Sequence, residues 1–137
     1  MNAPQTYDAG FSHQIGRYAD AIRVPADHDQ IVVSGTPGLD DNGNIPADFA
    51  DEARQAWRNV AAILDKAGAS ISDIVSIRQY LTREEDIKTY VAVQKEMIMH
   101  EPTAMLLVPT AMVWPEIHVE VEAVAFVPSR RRSVHTR

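Results

Sequence analysis

The sequence contains no cysteine in its 137 residues. Disulfides, thiolate nucleophiles and cysteine-ligated zinc are thereby excluded. No apolar run approaches the length of a membrane span, and Met1–Gly10 has no basic segment followed by an apolar one. A soluble cytoplasmic protein with no membrane association is therefore expected. Basic residues are also scarce, 13 against 19 acidic, for a net charge of −6. Four of the 13 (Arg130, Arg131, Arg132 and Arg137) follow Pro128, which leaves residues 1–128 with 9 basic and 19 acidic groups, a net −10. So acidic a body repels phosphate backbones, and nucleic acid is not an expected partner. The length fits a single domain over 1–128, followed by a basic tail over 129–137 with the composition of a disordered terminus.

What is present is a series of segments with readable periods. Met1–Gly10 is mostly polar and predicts little structure, and Gly16 suits a tight backbone approach before a short strand through Ala21–Arg23. Gln30–Gly35 is β-branched and bounded by turn residues, which predicts a strand paired with that preceding one. A helix is predicted from Asp48. Phe49, Ala53, Ala56, Trp57, Val60, Ile63, Leu64 and Ala67 fall on one helical face, and Gly68 suits its end. Ile74–Leu81 reads as a strand. Thr82 and Glu85 have capping-box spacing for a second helix, whose apolar face would hold Ile87, Tyr90, Val91, Gln94, Met97 and Ile98. Two strands follow, around Met105–Val108 and His118–Phe126. This order predicts an α+β domain, with about six mostly antiparallel strands and two helices on one face. Several strands carry apolar residues at both parities, so the other face is expected to pack against further copies of the chain.

In the last strand the period of two puts His118, Glu120 and Glu122 on one face and Val119, Val121 and Ala123 on the other. Such a polar row is either the solvated face of an ordinary sheet or the wall of a cleft in which one carboxylate moves protons. His118 and Glu120 lack a third ligand at metal-binding spacing, so no metal is expected. Trp57 and the methionines Met97, Met99, Met105 and Met112 read as core and interface packing.

Several stretches in one order carry a resemblance. Ile15-Gly16-Arg17-Tyr18, the strand ending in Ser34-Gly35, Ala53–Ala56 through Asn59-Val60, Ala67-Gly68-Ala69 with Asp73-Ile74-Val75, and Val119–Ala125 together resemble the RidA/YjgF family of imine and enamine deaminases. The match runs in register from about Ile15 to Val127. The resemblance implies a chorismate-mutase-like α+β fold, a homotrimer with ligand clefts between neighbouring subunits, and hydrolysis of small imines or enamines without any cofactor. It places Tyr18 at the family's cleft tyrosine, Glu120 at the carboxylate that positions or activates water, and Ser34 and Gly35 at the end of a cleft strand.

Three positions depart from the family pattern. Where typical deaminases have Pro-Ala-Arg, with the arginine forking onto the substrate carboxylate, this chain has Thr103-Ala104-Met105. The position two residues on, often cysteine, is Leu107, and an asparagine of the second helix is replaced by Val91. Met105 cannot form a bidentate, charge-assisted pair. Arg17, beside Tyr18, is the first candidate for a relocated cation, followed by Arg78 and His118. Two readings stay open: a divergent deaminase or hydrolase using Glu120 and Tyr18, or a non-catalytic small-molecule-binding trimer that has lost 2-imino acid deaminase activity.

Overall fold

The computed structural model describes residues 3–130. In chain order these form β1 (Gln5–Tyr7), β2 (Ala21–Arg23), β3 (His28–Pro37), α1 (Phe49–Lys66), β4 (Ile74–Leu81), α2 (Ile87–Met97), β5 (Thr103–Leu107) and β6 (Val119–Pro128). The fold is α+β: two helices on one face of a mixed sheet with strand order β3-β6-β4-β5, in which only the β4–β5 pair is parallel.

Helix α1 starts where the sequence places it. The Asp48 carboxylate accepts from the Asp51 N–H at 3.2 Å, satisfying one of the donors that a helix start leaves free. It ends with Gly68 at φ +79° while the Ala69 and Gly68 amides return to the Leu64 and Asp65 carbonyls, a closing turn that suits a residue without Cβ. Ala53, Ala56, Trp57, Val60 and Leu64 are buried against Val119, Val121, Ala123 and Ala125 of β6 and Ile77 and Leu81 of β4 in one core. Truncating a residue such as Leu64 to alanine there costs about 2–5 kcal/mol. Alternate residues of β6 fall on the opposite, helix-free face, and there Val32 of β3 is 72% exposed and Met105 of β5 54%.

Three local expectations need correction. Strand β3 pairs with β6 rather than with β2, because β6 offers it a ten-residue antiparallel partner whereas β2 has three residues. Strand β2 instead pairs with β1, so the first ten residues contribute a strand and the six strands divide into sheets of two and four. The Thr82/Glu85 capping box is absent. The Thr82 amide is bonded to the His118 carbonyl, its hydroxyl is buried without a partner, and α2 follows a 3-10 turn (Glu84–Asp86) across which Arg83 Nε reaches Asp86 at 2.7 Å. Beyond β6, Ser129 is tied back by its amide to the Asp27 carbonyl and by its hydroxyl to Asp29. The remainder of the predicted basic tail, 131–137, lies outside the described residues. No helix among them is long and apolar enough to cross a membrane.

Candidate functional site

Glu120 owes its setting to an irregularity in β3. Val33 pairs with Ala123 but Thr36 with Val121, so β3 has one extra residue at Ser34-Gly35, and the Thr36 hydroxyl bonds the Ser34 carbonyl at 2.7 Å. The Glu120 carboxylate lies against this bulge. A Cβ on Gly35 would stand 2.6 Å from Glu120 Oε1, so the glycine lets the carboxylate come close to the strand. Partial burial, and secondarily the charge of Glu122, push the Glu120 carboxyl above the usual carboxylate range. Tyr80, directly across from Glu120 on β4, gives its hydroxyl to Glu122 at 2.5 Å, and that bond together with burial raises the phenol. With Met112 and Val113 these side chains line a shallow hollow of ≈ 430 Å³. A raised, half-buried carboxyl of this kind is suited to passing a proton in either direction.

A second, larger cleft of ≈ 730 Å³ lies at the β5 edge of the sheet, where Arg17, Tyr18, Val91 and Met105 come together. Residues 13–18 are held there because the Ala19 amide bonds the Pro102 carbonyl and Ala19 bridges to Thr103. Arg17 Nη2 donates to the Ile98 carbonyl at 3.2 Å. The floor is a buried chain of hydrogen bonds. Trp57 Nε1 donates to the Tyr90 hydroxyl (3.2 Å), Tyr90 to Gln79 Oε1 (2.5 Å), and Gln79 Nε2 to the Met105 carbonyl (3.2 Å). Burial raises the Tyr90 phenol strongly, so it stays protonated and a donor. Gly16 is less constrained than expected, since a Cβ there would meet the Tyr18 ring at an ordinary 3.5 Å.

The predicted site is thus divided within one chain. Ser34, Gly35 and Glu120 sit beside edge strand β3, while Arg17, Tyr18, Val91 and Met105 sit at the opposite edge, and neither hollow includes a residue of the other. Leu107, across from Tyr80, is partly exposed and lines neither. Arg78 is exposed between Met105 and Glu122. His118 precedes β6 and is drawn toward the helix layer. Its amide donates to Glu52 Oε2 at 2.8 Å and its Nδ1 lies 3.4 Å from Glu52 Oε1, although Glu52 is only 1% exposed. Tyr80, Gln79 and Glu52 escaped the sequence reading. Tyr80 shares the parity of Arg78 on β4 and was findable on that ground, whereas Glu52 looks like an ordinary acidic residue in a first helical turn. Among the described residues no three His, Asp or Glu side chains converge as metal ligands would.

A family model described as endoribonuclease L-PSP matches residues 11–127. The chain belongs to the RidA/YjgF family. It is 31% identical to a 2-iminobutanoate/2-iminopropanoate deaminase of Escherichia coli, over 81% of this chain and 88% of that one. It is 30% identical to a RutC family protein of Pyrococcus abyssi, over 82% and 87% of the two chains. Among solved structures, the Rid family protein YyfB of Yersinia pestis superposes with a TM-score of 0.80 over 92% of this chain and all of that one, at 18% identity, a likeness of fold. The E. coli TdcF structure with bound serine superposes with a TM-score of 0.66 at 29% identity, covering 80% of this chain and 92% of TdcF. The RidA/YjgF fold therefore accounts for the two helices and the mixed sheet.

Proposed function

We propose that this chain is a divergent RidA-type hydrolase that releases ammonia from a small imine, enamine or related intermediate in a cleft between subunits of a homotrimer. One observation carries the reading: the raised Glu120 carboxyl stands beside the β3 edge, while Arg17, Tyr18 and Met105 line the cleft at the β5 edge. A ring in which the β5 edge of one copy meets the β3 edge of the next closes by head-to-tail contacts and brings both halves into one site. It also covers the apolar residues of the helix-free face. In that site Glu120 takes a proton from water as the oxygen attacks the C=N carbon, and returns it to nitrogen. Glu120 then carries the hydroxyl proton of this carbinolamine to nitrogen as the C–N bond breaks, so that imine plus water become a carbonyl compound plus ammonia. Tyr18 is its hydrogen-bonding partner, Ser34 and Gly35 shape the wall, and Val91, Met105 and Leu107 make the site more apolar than in typical members.

The test is Glu120→Gln. Ammonia release from imines generated in situ by an amino-acid oxidase should fall by a factor on the order of a hundred or more, with the sedimentation coefficient of the trimer unchanged. Undiminished release would overturn the assignment of Glu120. The alternative, a binding trimer without chemistry, draws on Met105 standing where the family's arginine is expected; it predicts ligand binding with no imine turned over even by the unaltered protein.

A further inference from the structure

No Asp or Glu lines the β5-edge cleft, although the chain has 19 of them. Besides His13, which is already held by Glu101 at 3.2 Å and Asp8 at 3.4 Å, two cations do: Arg17, from the segment before β2, and Lys95, from the last turn of α2. Neither is in an ion pair among the described residues, where the arginines that do form them are Arg54 and Arg83. Among the acceptors nearby, the Ile98 carbonyl already accepts from Arg17, the Met105 carbonyl from Gln79, and Gln79 Oε1 from both Tyr90 and Gln94. A positively charged ligand would find no carboxylate on the lining, and Glu101 and Asp8, which stand against His13, are already engaged by it. Much of the rest of the lining is apolar, with Ile15 82% exposed and Met105 54% exposed beside Ile87, Val91 and Leu106.

We propose that the ligand of this cleft is an amphiphilic acid, a branched or aromatic body bearing one carboxylate, whose anion is taken jointly by Arg17 and Lys95 while the body covers Ile15, Val91 and Met105. The inference rests on reading this cleft as the substrate site and names what that site accepts. Two cations are needed for a physical reason. The end of α2 carries partial negative charge from its free carbonyls, which disfavours an anion there unless more than one positive group offsets it. Arg17 supplies a planar fork and Lys95 a mobile point charge. The cleft is also larger than a three-carbon acid fills, so most of the ligand's contact area falls on the apolar wall.

Calorimetry on the intact oligomer tests this with three probes: 4-methyl-2-oxopentanoate, its uncharged methyl ester, and pyruvate. The branched acid should bind more tightly than either of the others by roughly tenfold. Arg17→Gln and Lys95→Gln should each weaken it, and the double variant should bind acid and ester alike. Equal binding of acid and ester by the unaltered protein, acid binding indifferent to both substitutions, or no binding of the acid at millimolar concentration would each overturn the proposal. Failure of the hydrolase reading looks different. If Glu120→Gln leaves turnover intact while acid binding still depends on Arg17 and Lys95, the anchor stands and the chemistry falls. If turnover depends on Glu120 but not on these cations or on a substrate carboxylate, the anchor falls and the chemistry stands.

Discussion

The carboxylate of Glu120 rests where a side chain on Gly35 would have to be: a Cβ at that position would lie 2.6 Å from Glu120 Oε1. The contact ties a bulge in β3 to the residue on which the proposed chemistry depends.

Gly35→Ala should therefore separate activity from stability. Gly35 has a negative φ, so alanine brings no backbone strain, and the atom it would strike is the free end of a flexible side chain. The carboxylate moves and the backbone does not. Urea unfolding should change by less than about 1 kcal/mol, within the range of mild repacking, while ammonia release falls on the order of ten- to a hundredfold through misplacement of the base. A stability loss as large as the activity loss would show that Gly35 serves the fold instead.

The pH profile should report the raised Glu120 carboxyl. Activity that needs the ionised form rises with pH through a midpoint above the ordinary carboxylate range, and Glu122→Gln should move that midpoint downward by removing the neighbouring charge. Stability runs the other way. The folded protein holds this proton more tightly than the unfolded chain does, so the contribution of Glu120 is fully present at acid pH and is lost as pH rises through the raised value. Glu120→Gln should accordingly melt higher than the parent above that window and equally with it below the ordinary carboxylate range. Melting curves collected across pH check the sign.

Glu52 and His118 form a pair whose loss should be structural. Glu52→Ala leaves the His118 amide without its acceptor, an unsatisfied donor worth about 1–3 kcal/mol, whereas Glu52→Gln keeps an oxygen in place and should recover most of that. Denaturant midpoints for the two variants measure the difference. Equal losses would assign the effect to charge rather than to the hydrogen bond.

Much of the fold was legible because its signals are local. Asp48 and Gly68 mark the ends of α1, the three-and-four spacing picks out its buried face, and the alternation in β6 separates Val119, Val121 and Ala123 from Glu120 and Glu122. Pairing was less legible. Nothing near Ala21–Arg23 tells that β3 will pass it over for β6, about ninety residues away, since the choice rests on how long a ladder each partner offers. The Thr82 cap failed for a similar reason, because the His118 carbonyl already holds the residue to the neighbouring strand.

The sequence by itself determined the α+β class and the family, and it named the residues of the proposed site: Glu120, Tyr18 and, where the resemblance expects a cation, Met105. Tertiary structure decided how those groups are distributed. It drew His118 to Glu52, put Tyr80 beside Glu122, joined Arg17 and Lys95 in one cleft, and set Glu120 and Tyr18 in separate hollows of one chain. The reason is one of range. Periodicity and capping act over a few residues and are written locally, whereas meetings between side chains depend on strand order, and strand order is a contest among distant partners that the folded chain alone settles.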